Sequence, residues 1–112
     1  MIYMLSKFDL SPDVDFKAFQ KDYSEFVQDM RSMDLAVSTG NVGTRIADTP
    51  MDTDLDDAPR FYVIMTFRDR DQLDKAYRYI ATGQAKPEHL KSHQRVHNAI
   101  LNPVFTCWQD ET

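Results

Sequence analysis

The stretch "RFYVIMTF" at residues 60–67 constrains the fold more than any other part of the chain. It is β-branched and aromatic, holds no breaker, and reads as a strand. Successive side chains of a pleated strand point to opposite faces. Phe61, Val63, Met65 and Phe67 therefore share one face, and Tyr62 and Ile64 the other. Both faces are apolar except at Thr66. Two further strands behave in the same way. "IYMLSKF", residues 2–8, sets Ile2, Met4 and Phe8 against Tyr3 and Leu5. "NPVFTCW", residues 102–108, begins at a proline and sets Val104 and Trp108 against Phe105 and Cys107. A sheet with helices on one side alternates apolar with polar residues. This sheet needs cover on both sides.

The rest of the chain supplies cover for one. Over residues 16–33, Phe16, Phe19, Tyr23, Phe26, Val27, Met30 and Met33 fall within an arc of roughly 120° on a helical wheel. Lys17, Lys21, Ser24, Glu25 and Gln28 take the other side, and Asp13 or Asp15 is available as the N-cap. "LAVSTGNVGTRI", residues 35–46, reads as a strand with a glycine-marked bend or bulge. No helix pattern follows it, so it is not a phosphate-cradling loop. "ADTPMDTDLDDAP" is a polar connection. "RDRDQLDKAYRYIATG" reads as a second helix, with Asp69 and Gln72 as a capping pair. Leu73, Ala76, Tyr77 and Ile80 form its stripe, and Gly83 suits its stop. "KPEHLKSHQRVHNAI" reads as a third helix with Pro87 in its first turn. The order is β-α-β-β-α-(α)-β, the split βαβ or ferredoxin-like pattern with an extra helix before the last strand. It predicts one α+β domain over residues 1–112, with a four-stranded antiparallel sheet and its helices on one face.

An uncovered apolar face of several strands exceeds the few hundred Å² that a monomer usually exposes. The simplest remedy is a second copy of the chain, packed face to face about a two-fold axis. The alternative is that the third helix or a terminal segment wraps the second face. Composition narrows the partners. Thirteen Lys and Arg against eighteen Asp and Glu give a formal charge of −5, without the basic balance that nucleic acid or an anionic membrane surface requires. No apolar run approaches the roughly 20 residues of a membrane span. "MIYMLSKFDL" lacks the leading positive charge of a signal peptide, and the expected home is the cytoplasm. Cys107 is the single cysteine, which leaves no intrachain disulfide or cysteine cluster, and it reads as a small core residue.

Length, element order and two-faced strands together resemble the dimeric α+β-barrel superfamily, which includes stress-responsive barrel proteins and antibiotic-biosynthesis-type monooxygenases. The resemblance covers nearly the whole chain as a pattern, and no short motif assigns a subfamily. It implies a homodimer whose two sheets form a barrel, with a cavity between sheet and helices in each subunit. Members include cofactor-free oxygenases, cyclases, haem-degrading enzymes and proteins of no known activity, so fold leaves function open.

All three histidines lie in "EHLKSHQRVHNAIL", four residues apart, at His89, His93 and His97. On a wheel at about 100° per residue they fall inside the apolar arc of Leu90, Val96, Ile100 and Leu101, with Lys91, Arg95 and Asn98 on the wet side. Three readings compete. The histidines are core-edge residues tied to backbone carbonyls or a partner chain. Alternatively, His93 faces a cavity between helix and sheet as a general base, with Tyr62 and Trp108 completing the pocket and His89, His97 and Tyr3 as ligand contacts. The third reading is a metal site: histidines four apart can share one ion, but His89 and His97 stand about 12 Å apart along the helix, so all three cannot reach one ion and a carboxylate from elsewhere would be required. "MDTDLDD" resembles the start of a calcium loop but has Asp57 where glycine is needed and Val63 where glutamate is needed. Arg45 and Arg60 flank it, and local ion pairing explains it. Two functions follow. One is a small-molecule-binding barrel for an apolar or aromatic ligand, stress-related by its resemblance. The other is a cofactor-independent oxygenase or cyclase acting on an aromatic or polyketide-like compound, with His93 as base. Neither calls for a metal or a cofactor.

Overall fold

In the computed structural model, which describes residues 1–54, 58–81 and 87–111 (87–90 by backbone alone), β1 (Ile2–Leu10) is the central strand. It pairs antiparallel with β4 (Phe61–Phe67) on one side and β5 (Ile100–Gln109) on the other. Beyond β4 lie β2 (Ser38–Thr39) and β3 (Gly43–Thr44), both paired with it. The order β2-β4-β1-β5 is that of the ferredoxin-like sheet. The second strand is broken in two. Thr39 faces Met65 and Gly43 faces Tyr62, so four steps of one strand match three of the other. The glycine-marked irregularity is a one-residue bulge at residues 40–42.

Helix α1 (Phe16–Ser32) starts at Asp15, whose Oδ2 accepts the Ala18 N–H at 3.0 Å. It ends in a Schellman turn: the Leu35 N–H reaches the Met30 carbonyl at 2.8 Å and the Asp34 N–H reaches that of Arg31 at 3.1 Å. Asp34 takes the left-handed position, with φ 56°. The helix buries Phe19, Tyr23, Val27 and Met30 in the core shared by Phe8, Val63, Met65 and Phe67. The rings of Phe8 and Phe19 lie 5.5 Å apart, centre to centre.

Helix α2 (Arg70–Ala81) opens on the expected pair. Asp69 Oδ1 accepts the Gln72 N–H at 2.9 Å. Gln72 does more than cap. It is 2% exposed, its Oε1 accepts the Arg68 N–H at 2.6 Å, and its Nε2 donates to the Asp34 carbonyl at 3.1 Å. One buried amide thus ties the start of α2 to the end of α1. The Gly83 stop falls outside the described residues.

Helix α3 (Pro87–Ala99) lies along α1. Ser92 Oγ donates to Asp29 Oδ2 at 2.8 Å, and Arg95 reaches Glu25 at 3.0 Å and Asp22 at 3.3 Å. It ends earlier than its pattern predicts. Ile100 and Leu101 belong to β5, where they face Leu10 and Asp9. Lys7 faces Val104 and Asp9 faces Leu101, two steps against three, so this strand is bulged as well. Asn102, at φ 51°, and Pro103 occupy the bulge. An outer strand tolerates a proline there, so the strand runs past it. Cys107 is corrected too. It is exposed, because β5 is the outer strand. Among the described residues no helix is long and apolar enough to cross a membrane.

Replacing Gln72 with Leu leaves the Arg68 N–H and the Asp34 carbonyl without their partner. Urea unfolding should show a loss of about 2–3 kcal/mol. An unchanged midpoint would show that this link between α1 and α2 contributes nothing.

Candidate binding face

Register builds a lattice of nine side chains on the face of the sheet opposite α1. Tyr3 stands between Thr66 and Trp108, Leu5 between Ile64 and Thr106, and Lys7 between Tyr62 and Val104. Trp108 is 63% exposed, Val104 44%, Tyr62 43% and Ile64 37%, and among the described residues no helix covers them. The polar atoms of this face are partly turned inward on themselves. The Trp108 indole N–H donates to Thr106 Oγ1 at 2.8 Å. The Tyr3 hydroxyl donates to Asp110 Oδ2 at 2.8 Å, and that bond raises its pKa. The Tyr62 ring lies over Gly43. A Cβ there would come within 2.3 Å of the ring, so glycine is what lets the ring lie down on the strand.

The histidines lie elsewhere. His93 is half-buried in the seam between α3 and α1, its ring 5.4 Å from that of Phe26 and 6.0 Å from that of His97. Burial, then the charge of His97, lowers its pKa below the ordinary 6.5. His97 is exposed, and the side chain of His89 lies outside the described residues. Two expectations are corrected. His93 turns toward α1 and not toward a cavity between helix and sheet. Tyr3, Tyr62 and Trp108 project from the opposite face of the sheet, so within one chain they do not share a pocket with His93. The wheel located the apolar arc of α3, but a helical pattern does not say which neighbour that arc meets.

Polar hollows lie among the described residues as well. One, of about 240 Å³, is lined by Arg45, Thr49, Asp52, Asp54 and Arg60. Here the acidic connection closes on Arg45. Both carboxylate oxygens of Asp54 meet its guanidinium, one at 2.6 Å, and Asp52 joins at 3.0 Å. Arg45 holds the Asp54 carboxyl below its usual range, and the Thr49 hydroxyl at 2.7 Å is the main cause of the same shift at Asp52. The expected local pairing is present at Arg45. The other hollow, of about 190 Å³, is lined by Gln20, Tyr23, Ser24, Thr39 and Asn41. Tyr23 shares a 2.8 Å hydrogen bond with Thr39, and burial pushes its pKa up to about 12. Among the described residues no three His, Cys, Asp or Glu side chains converge as a metal site would need.

No protein-family model matches this sequence, and no curated protein does. Solved structures do. The chain is similar to the protein At3g17210 of Arabidopsis thaliana, at 10% identity and a TM-score of 0.71, over 100% of this chain and 97% of that one. It is similar to a dimeric ferredoxin-like protein of unknown function from Jannaschia sp. CCS1, at 10% identity and a TM-score of 0.64, over 97% and 98%. It is also similar to an antibiotic biosynthesis monooxygenase, at 14% identity and a TM-score of 0.60, over 100% of both chains. At such identities the likeness establishes the fold, and function has to be argued from the residues.

The lowered pKa of His93 sets a direction for stability. A folded-state value below the unfolded one means that the native chain resists a proton the unfolded chain accepts. Stability from this residue is full above pH 6.5 and falls as pH drops through that value toward the folded pKa. An NMR titration should place His93 below 6.5, and His93→Leu should remove part of the fall in melting temperature between about pH 7 and 5. A His93 titration above 6.5 would reverse this account.

Proposed function

We propose that the chain works as a homodimer whose two open faces meet about a two-fold axis and enclose a small apolar or aromatic molecule. The observation that carries this reading is the lattice of Tyr3, Leu5, Tyr62, Ile64, Val104 and Trp108, contiguous and not covered by a helix among the described residues. Two four-stranded sheets, with β2 and β3 counted as one strand, make an eight-stranded barrel. An interior of that size is filled by side chains or holds one small ligand. Aromatic and aliphatic walls with a few hydroxyls and one ammonium are the usual chemistry of a small-molecule site. The dimeric assembly of the Jannaschia protein supports the reading at the level of the fold. A cytoplasmic home suits the exposed Cys107 thiol, which reducing conditions keep free.

A second reading makes His93 the general base of a cofactor-independent oxygenase or cyclase acting on an aromatic or polyketide-like compound. What favours it is the lowered pKa in a seam lined by Phe26, which keeps the imidazole neutral and able to accept a proton near pH 7. It requires that an aromatic compound shift the His93 resonances. Unmoved His93 signals under saturating probe, with the open-face signals shifted, would leave the barrel interior as the site.

Light scattering at micromolar concentration should give twice the chain mass. Ile64→Asp should yield monomer or unfolded chain, because a carboxylate buried without a partner costs several kcal/mol. Circular dichroism separates those two results. A well-folded wild-type monomer at that concentration would defeat the reading.

A further inference from the structure

We propose that His93 and His97 form a chelating pair for a divalent late transition ion, copper(II) foremost. The two stand one turn apart in α3, where side chains at i and i+4 are neighbours. Their ring centres lie 6.0 Å apart. A metal–nitrogen bond to imidazole is about 2 Å long, which sets an ion about 3 Å from the centre of each ring that holds it. Two rings on one ion then have centres about 4.5–6.5 Å apart, from a right angle at the ion to a straight line. The pair falls inside that range. Among the described residues neither ring makes a hydrogen bond, and no buried side-chain nitrogen is left without one. The nitrogens of His93 are therefore open to solvent, although its ring is half-buried against Phe26. No hydrogen bond has to break for the two rings to turn toward one ion.

The charges around the pair accept a cation. Arg95, between the two histidines in sequence, is neutralised by α1, reaching Glu25 at 3.0 Å and Asp22 at 3.3 Å. Asp29, a third carboxylate on this seam, accepts from Ser92 Oγ at 2.8 Å. Lys91 is exposed, and water and salt screen its charge. The chain as a whole carries a formal charge of −5. A metal-ligating imidazole must be unprotonated, and burial, then the charge of His97, lowers the His93 pKa in that direction. The donor set selects the ion. Among the described residues no third His, Cys, Asp or Glu side chain joins the pair. Zinc takes three or four protein ligands, so two imidazoles suit it poorly. Copper(II) takes nitrogen and oxygen donors in a tetragonal array and heads the affinity order of the divalent first-row ions. Two imidazoles with water complete such an array, and the water positions are open to a small donor ligand.

The test adds copper(II) to the full chain carrying Cys107→Ser, because the exposed Cys107 thiol is itself a copper ligand. Calorimetry at neutral pH should show one ion per chain. The melting temperature should rise with copper, as a ligand bound only to the native state requires. The paramagnetic resonance spectrum of the bound ion should carry the splitting of two nitrogens. Adding His93→Asn or His97→Asn should remove both the binding and the rise. His97 is exposed, so its replacement leaves the fold intact, which circular dichroism checks. His89→Asn, one turn earlier in sequence, should leave the binding in place. Survival of binding in His97→Asn, or its loss in His89→Asn, overturns the pair. A folded Cys107→Ser chain that takes up no copper overturns the site altogether.

Discussion

The pleat of β1 and β4 governs this molecule. Helices α1 and α2 bring Phe19, Val27, Met30 and Ala76 to the core that Phe8, Val63, Met65 and Phe67 enter from the sheet. Strand geometry then forces Tyr62, Ile64, Tyr3 and Leu5 the other way, because alternate side chains cannot share a face. A slip of one residue would exchange the two sets. Register is held by the helix side, where Phe8, Val63, Met65 and Phe67 are only 2–3% exposed. The open face inherits its order from a core it does not touch.

The two bulges serve the same constraint. At residues 100–104 the bulge places Leu101 opposite Asp9 and Val104 opposite Lys7, so two apolar residues three apart in sequence reach the same face. At residues 40–42 it sets Gly43 across from Tyr62, where the missing Cβ gives the ring room. Both bulges lie on strands away from the sheet's centre, where a distorted ladder costs least.

Much of this was legible in the sequence. The arc of α1, the Asp69–Gln72 pair, the broken second strand and the doubly apolar β4 each rest on a local pattern with a period of its own. What was not legible depends on contacts between distant segments. The histidine arc of α3 could be found on a wheel, but only the tertiary structure says that it meets Phe26 and not the sheet. Pro103 reads as a strand start, and only pairing with β1 shows the strand passing through it. Gln72 reads as a cap, yet its link to the Asp34 carbonyl spans two helix ends. Lys7 shares parity with Tyr3 and Leu5, a signal present in "IYMLSKF" but mute until Tyr62 and Val104 are placed beside it.

The fold is shared with proteins as different as a monooxygenase and a dimer of unknown function, so it assigns no function by itself, and the proposed reading rests on the open face. On the proposed reading, a second copy closes this face. Trp108 reports on it directly, being 63% exposed in the single chain. Acrylamide quenching of its emission, measured across protein concentration, should show a shielded indole at micromolar protein that becomes accessible on dilution. Quenching as strong as that of free tryptophan at every concentration would contradict the account.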